Sequence, residues 1–135
     1  MTAVEELRPI LEATPGVVLA VLFGSHARGT AGAQSDIDLG LRLGAEEPGA
    51  LDRMLAQLER ATARTIDVVL LDSAPPLVRF EIARDGVPLV ERAPHAWPEF
   101  RAQAMLDWWE WAPFAEKFAS AALERLRAEV NRGPA

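Results

Sequence analysis

The sequence contains no cysteine and only two histidines, His26 and His95. Disulfide bonds and thiolate zinc sites are therefore excluded, and a histidine-rich zinc site within one chain is disfavoured. Basic residues are also scarce, because 14 lysines and arginines stand against 20 acids and the formal net charge is −6. This balance argues against direct binding of nucleic acid through a broad basic face, although a metal ion could still bring phosphate to an acidic site.

Long apolar runs are absent as well, and no stretch approaches the length that spans a bilayer. The first six residues, Met1 to Glu6, are acidic and lack a basic region before an apolar core, so they do not read as a signal peptide. We therefore expect a soluble, cytoplasmic protein with no membrane partner. The 135 residues, half of them apolar, fit one domain: a core of about residues 1–92 and C-terminal helices at about 95–131.

One segment concentrates polar residues between two apolar runs. Val17 to Phe23 is continuously apolar, and Gly24-Ser25 follows it directly. Ten residues then separate Ser25 from Asp36, which lies two positions before Asp38 in the second apolar run. Glycine permits a sharp turn after a strand, and a helix beginning there would direct free N–H groups at an anion. The Ser25 hydroxyl adds a donor, so Gly24-Ser25 predicts a phosphate-binding turn.

The acid pair predicts a second half of the same site. Side chains at i and i+2 of a strand leave the same face, so Asp36 and Asp38 are expected to lie side by side. Two adjacent carboxylates repel each other unless a cation lies between them, and Mg²⁺ is commonly held by one or two carboxylates plus substrate phosphates. Arg28, between the two motifs, is either a phosphate contact, because a guanidinium can bind two phosphate oxygens, or a solvated loop residue.

Apolar periodicity predicts an alternation of helices and strands, and hence an α/β (α+β) fold with a small mixed sheet, flanking helices and a C-terminal helical pair. Gly40, on the acidic face of the second strand, is interpreted as leaving space for a ligand. The predicted order is helix 4–13, strand 17–23, a short helix or turn at 25–32, strand 36–43, a helix after 48, strand 65–71, a helix from 75 to about 86, edge strand 87–91, and helices at about 97–111 and 113–130.

Gly-Ser, ten residues, then Asp-x-Asp resembles the signature of the nucleotidyltransferase superfamily related to DNA polymerase beta. The wider pattern, from Gly24 to Gly29 and from Ser35 to Leu39, is similar to its minimal members, the MNT proteins, which include MntA-type antitoxins of HEPN toxins. The resemblance covers about the first ninety residues. It implies a third acid on a neighbouring strand, and Asp67 is the matching position; the alternative is a strand-end acid that faces solvent.

The resemblance implies the activity of a protein adenylyltransferase. AMP would pass from ATP to a hydroxyl, expected to be a tyrosine, of a partner HEPN ribonuclease toxin. Asp36, Asp38 and Asp67 would be catalytic and would hold two Mg²⁺ ions, while Gly24, Ser25 and Arg28 would bind the nucleotide. Two alternatives stay open: nucleotidylation of a small molecule such as an aminoglycoside, and an antitoxin that neutralises its partner by binding alone. The chain could also form homo- or hetero-oligomers.

The C-terminal region is rich in aromatic residues and has two interpretations. It holds all four tryptophans and three of the five phenylalanines. These side chains could complete a small core, or some of them could form an exposed apolar surface for another protein. Trp108, Trp109 and Trp111 cannot all point one way from a helix, so we expect part core and part interface.

Overall fold

The computed structural model describes residues 2–45 and 47–132, with side chains up to residue 130. The described elements are α1 (Ala3–Glu12), β1 (Val17–Phe23), α2 (Ser25–Arg28), β2 (Ile37–Leu43), α3 (Ala50–Thr62), β3 (Ile66–Leu70), α4 (Pro76–Asp85), β4 (Val87–Glu91) and α5 (Ala96–Arg132). The strands form one sheet in the order β3-β2-β1-β4. The expected mixed α/β fold is confirmed.

The sheet mixes both strand directions. β1 lies antiparallel to β2 and β4, whereas β2 and β3 are parallel and are joined through α3. A parallel pair needs such a crossover, and a helix usually supplies it. The edge position of β4 agrees with Pro88 in that strand, because proline has no N–H to donate to a second neighbour.

Helices cover both faces of the sheet, which explains the continuous apolar sequence of β1. One core joins β1 and β2 to α1 and α3, with Leu7, Leu22, Leu39 and Leu58 fully or almost fully buried. The other core joins the opposite face of β1 to α4 and to the first turns of α5. Burial of this apolar surface on two sides fixes the sheet between its helices.

Gly40 does not leave space for a ligand, so this interpretation is wrong. A Cβ atom at Gly40 would lie 2.7 Å from Leu71 Cδ2 and 3.7 Å from Ile82 Cδ1. The missing side chain lets α4 and the end of β3 pack closely on β2. On this face the open region is therefore confined to the end of the sheet where β1 finishes and β2 begins.

The predicted C-terminal helical pair is a single helix of 37 residues with Pro113 inside it. Proline removes one backbone hydrogen bond and crowds the carbonyl group four residues earlier, but a helix can continue beyond it. The flanking residues, Ala112, Phe114 and Ala115, include strong helix formers, and α1 likewise continues across Pro9. No helix in residues 2–45 and 47–132 is long and apolar enough to cross a membrane.

Candidate active site

A sharp turn directly after β1 forms the first wall of the candidate site. Gly24 has φ +72° and ψ −155°, and the four-residue helix α2 runs from Ser25 to Arg28 and is followed by Gly29, with φ +75°. The backbone N–H groups of Ala27 and Arg28 both donate to the Gly24 carbonyl at 3.1 Å. Glycine adopts positive φ without the steric cost that other residues carry, so the Gly-Ser sequence determines this turn.

The turn lies against the acid pair. Phe23 is the register partner of Asp38 across β1 and β2. A Cβ atom added to Gly24 would collide with the Asp38 carboxylate, because Asp38 Oδ2 occupies the space where it would project. The glycine therefore has two functions, since it permits the backbone conformation and lets the Asp38 carboxylate approach the Gly24-Ser25 turn.

The third acid lies beside the second. Asp67 of β3 is the register partner of Asp38 in the parallel β2–β3 pair. Asp36 precedes β2 by one residue and shares the face of Asp38 through the i, i+2 spacing. Asp38 is partly buried, whereas Asp36 and Asp67 are exposed. The structure thus brings all three predicted acids to one edge of the sheet.

The pKa of Asp38 reflects its burial and the proximity of the other two acids. The pKa of Asp38 is raised above its ordinary value, first by burial and then by the negative charges of Asp67 and Asp36. His26 and Arg28 oppose the shift and lower the pKa of the same carboxyl. Carboxylates that repel one another in this way gain free energy when a cation neutralises them.

The donor atoms of the site are compatible with a magnesium ion. Its donors are hard carboxylate oxygens, and the raised Asp38 pKa marks negative charge that the protein does not neutralise. Within residues 2–45 and 47–132, however, no three His, Asp or Glu side chains converge closely enough to form a ready-made metal cage. Mg²⁺ usually takes one or two carboxylates and completes its shell with water and substrate phosphates, so the donor set fits an ion that arrives with a nucleotide.

A cleft of about 380 Å³ opens in front of the turn. Its walls come from the end of β1, from α2, from β2 and from α4, and its lining residues are Phe23, Gly24, Ser25, Arg28, Asp38 and Glu81. Four predicted site residues therefore share one cleft, while Asp36 and Asp67 lie outside this lining. A concavity of about 450 Å³ at the opposite end of β1, beside Gly16 and Arg53, contains none of the predicted residues.

Three residues near the site escaped the sequence analysis. Glu81 reaches the cleft only because α4 packs over β2, and no motif in α4 signals this. His26 lies in α2, and its Nε2 is 3.1 Å from the Ser35 carbonyl oxygen. Arg64 donates from Nη1 to the carbonyls of Gly32 and Ser35 at 3.1 and 2.9 Å.

These contacts fix the loop that leads into the acid pair. Ser35 immediately precedes Asp36, and its carbonyl contacts both His26 and Arg64. The N–H of Ile37 donates to the Thr65 carbonyl at 2.9 Å, which ties the start of β2 to the start of β3. The loop is thus held by His26 of α2 on one side and by Arg64 of the α3–β3 connection on the other.

The fold and this edge of acids define a nucleotidyltransferase. Residues 5–95 match the profile of the family described as Polymerase beta, Nucleotidyltransferase, and the chain belongs to this family. The fold is similar to that of a toxin–antitoxin crystal structure with AMP-PNP, at TM-score 0.73 and 20% identity, covering 89% of this chain and 98% of the other. No curated protein sequence shows significant similarity to the chain.

Two further solved structures are informative. A chain in the complex of a tri-AMPylated Shewanella oneidensis HEPN toxin with an MNT antitoxin matches at TM-score 0.68 and 17% identity, covering 90% of this chain and 96% of its own length. A proposed minimal nucleotidyltransferase matches at TM-score 0.52 and 30% identity, covering 97% of its length but only 66% of this chain. The family match ends at residue 95, and α5 begins at Ala96.

Proposed function

We propose that this chain is an antitoxin that transfers AMP from ATP to a tyrosine hydroxyl of a partner HEPN toxin. Family membership supports transfer of a nucleotide. Similarity to a toxin–antitoxin structure with AMP-PNP and to a complex that holds an AMPylated toxin supports the nucleotide and the acceptor. The sequence has no tyrosine, so a tyrosine acceptor must belong to another chain.

The observation that carries this proposal is the convergence of Gly24, Ser25, Arg28 and Asp38 in one cleft, with Asp67 next to Asp38 across the β2–β3 pair. In this proposal the Gly24-Ser25 turn binds phosphate beside the carboxylate edge. A nucleoside triphosphate needs both, because its phosphates must be held while charge develops at the bond that breaks.

The residues divide the work between binding and proton transfer. The Ser25 hydroxyl and the Arg28 guanidinium bind the terminal phosphates and hold the α-phosphorus at the acid edge. Asp36, Asp38 and Asp67 would hold two Mg²⁺ ions, which neutralise phosphate charge and lower the pKa of the attacking hydroxyl when bound. Asp67, which is exposed, would accept the hydroxyl proton.

The transfer balances as a substitution at phosphorus. The acceptor oxygen forms a bond to the α-phosphorus, and the bond from this phosphorus to the oxygen that bridges to the β-phosphate breaks. Pyrophosphate leaves with that oxygen, and the hydroxyl proton passes to a carboxylate. The cleft contributes orientation and fixed charge rather than a covalent intermediate.

Intact-mass analysis of a co-expressed HEPN toxin tests the proposal. The toxin is expected to gain one or more AMP units with the wild-type chain and none with an Asp36→Asn/Asp38→Asn variant. A panel of hydroxylated small molecules with labelled ATP provides the second arm. Labelling of an aminoglycoside, or full neutralisation of the toxin by the double variant, would replace this proposal with one of the two alternatives.

A further inference from the structure

The second half of α5 is a long helical segment that buries none of its side chains against the described part of the chain. Its first half packs on the body, since Phe80 of α4 stacks on Trp108 with ring centroids 5.0 Å apart and Arg79 pairs with Asp107 at 2.7 Å. In contrast, no side chain is buried between residues 113 and 130. Helices in proteins are stabilised mostly by packing of one face rather than by intrinsic propensity, and this segment leaves its own faces exposed.

Large apolar side chains are concentrated on one face of that segment. Phe114, Phe118, Leu126 and Val130 are 58%, 69%, 59% and 78% exposed and follow one another at four- or eight-residue spacing. Residues at i and i+4 are neighbours on a helix surface, so they form one continuous row. Exposed apolar surface of this extent marks an interaction site in a soluble protein.

The width of the face indicates what covers it. Successive residues of a helix are rotated by 100° about its axis, so the apolar side chains of this segment occupy an arc of roughly 180° that is bounded by Phe114 and Leu123. Arg125 and Glu129 also lie within this arc. Two helices that pair with each other cover a seam of only about 2 positions in 7. One matching helix from a second copy would therefore leave much of the face in water. A partner with a groove between two of its own helices would cover it.

The comparisons with solved structures point to the same partner. The match to the toxin–antitoxin structure with AMP-PNP leaves about 15 of the 135 residues of this chain uncovered. Even if all of these residues lay in α5, about 22 of its 37 residues would still have a counterpart in that structure. The minimal nucleotidyltransferase leaves about 46 unmatched, and the family match ends just before α5. Part of α5, which lies beyond the family match, thus has a counterpart in a structure that contains a toxin.

We infer that the apolar face of α5 from Phe114 to Val130 is the docking surface for the toxin, separate from the cleft that transfers AMP. This inference rests on the proposed function for the identity of the partner. The helix would hold the toxin through its apolar row, and the cleft would act on a hydroxyl that the bound toxin presents. Binding and chemistry would then be separable by mutation.

A matched pair of variants tests the inference. Phe114→Glu/Phe118→Glu changes the net charge by −2 on the apolar face, and Lys117→Glu changes it equally on the polar side of the same turns. The double variant is expected to bind the co-expressed HEPN toxin at least about 30-fold more weakly, because loss of central aromatic anchors has that cost. The Lys117 variant should stay within about 3-fold of wild type.

Toxin affinity, oligomeric state and AMP transfer distinguish the possible outcomes. Both variants should retain ATP binding and thermal stability, because the altered side chains are exposed. Wild-type affinity in the double variant would overturn the docking surface, and so would a wild-type dimer that dissociates in this variant. If the wild type binds the toxin through this face but transfers no AMP, the proposed function fails and the docking surface stands.

Discussion

The body of the protein and the distal part of α5 differ in how completely they bury their apolar side chains. From α1 to the first half of α5, apolar side chains are buried on both faces of the sheet, and the polar residues at one end form a cleft. Beyond Ala112, the same chain presents phenylalanine, leucine and valine to water. We accordingly propose separate roles for the two regions, transfer of AMP in the body and binding of the toxin on the helix.

The largest expected effect separates the two regions directly. Asp38→Asn removes the carboxylate that lies against the Gly24 turn, and we expect transfer of AMP to fall by at least about 10²- to 10³-fold, as when a preorganised electrostatic contact is lost. Toxin affinity should not change, because α5 is intact. Labelled ATP and a binding titration on the same samples measure both quantities. A parallel loss of binding would contradict the division between body and helix.

Substitutions at two glycines test whether catalysis depends on the close approach of the Asp38 carboxylate to Gly24. Gly24→Ala requires a residue with a side chain at φ +72° and drives its Cβ into Asp38, whereas Gly29→Ala requires φ +75° with no atom within 4 Å of the new Cβ. Gly29→Ala incurs left-handed strain of roughly 1–2 kcal/mol, whereas Gly24, with ψ −155°, lies in a region that is nearly restricted to glycine, so Gly24→Ala incurs about 1–3 kcal/mol. Only Gly24→Ala should also reduce turnover, by about 10- to 100-fold. Thermal melts and AMP transfer distinguish strain from displacement of the carboxylate, and equal turnover in the two variants would contradict the close approach.

The sequence predicts the local features of this site and misses those that depend on packing. Gly24-Ser25 and the Asp36, Asp38 pair are separated by fixed short spacings, so strand periodicity suffices to place them on one edge. Glu81 cannot be placed in this way, because its position depends on how α4 packs across Gly40.

The same limit applies to the C-terminal region. Pro113 led to a predicted break, but tertiary context and helix-forming neighbours allow the helix to continue. The expectation that only some tryptophans belong to the core agrees with the structure. Trp108 stacks on Phe80 of α4, whereas Trp109 is 70% exposed. The covering of the exposed part remains a prediction, because sequence periodicity identifies an apolar face but not its partner.

A smaller effect is expected from the contacts that hold the loop before Asp36. Arg64→Ala removes two hydrogen bonds to the Gly32 and Ser35 carbonyls, and we expect kcat to fall by about 10-fold through imprecise positioning of the acids, with little change in toxin affinity. Arg64→Lys should recover part of the loss, since an ammonium group can still donate to one carbonyl. Arg60→Ala, an exposed change on α3, is the control and should remain within about 2-fold. Equal losses in the Arg60 and Arg64 variants would contradict a positioning role.

The smallest expected effect is a dependence of stability on pH that belongs to the body alone. Because the pKa of Asp38 is raised in the folded protein, the folded state binds this proton more tightly than the unfolded chain. Stability therefore falls as pH rises through the interval between the ordinary value of 3.8 and the raised pKa, and the ionised carboxylate destabilises the fold above it. In metal-free buffer, Asp38→Asn should melt a few degrees above wild type at pH 7, with no difference near pH 3. Glu124→Gln on the distal helix should show no shift at either pH, and a lower melting temperature for the Asp38 variant at pH 7 would mean that this carboxylate stabilises the body instead of straining it.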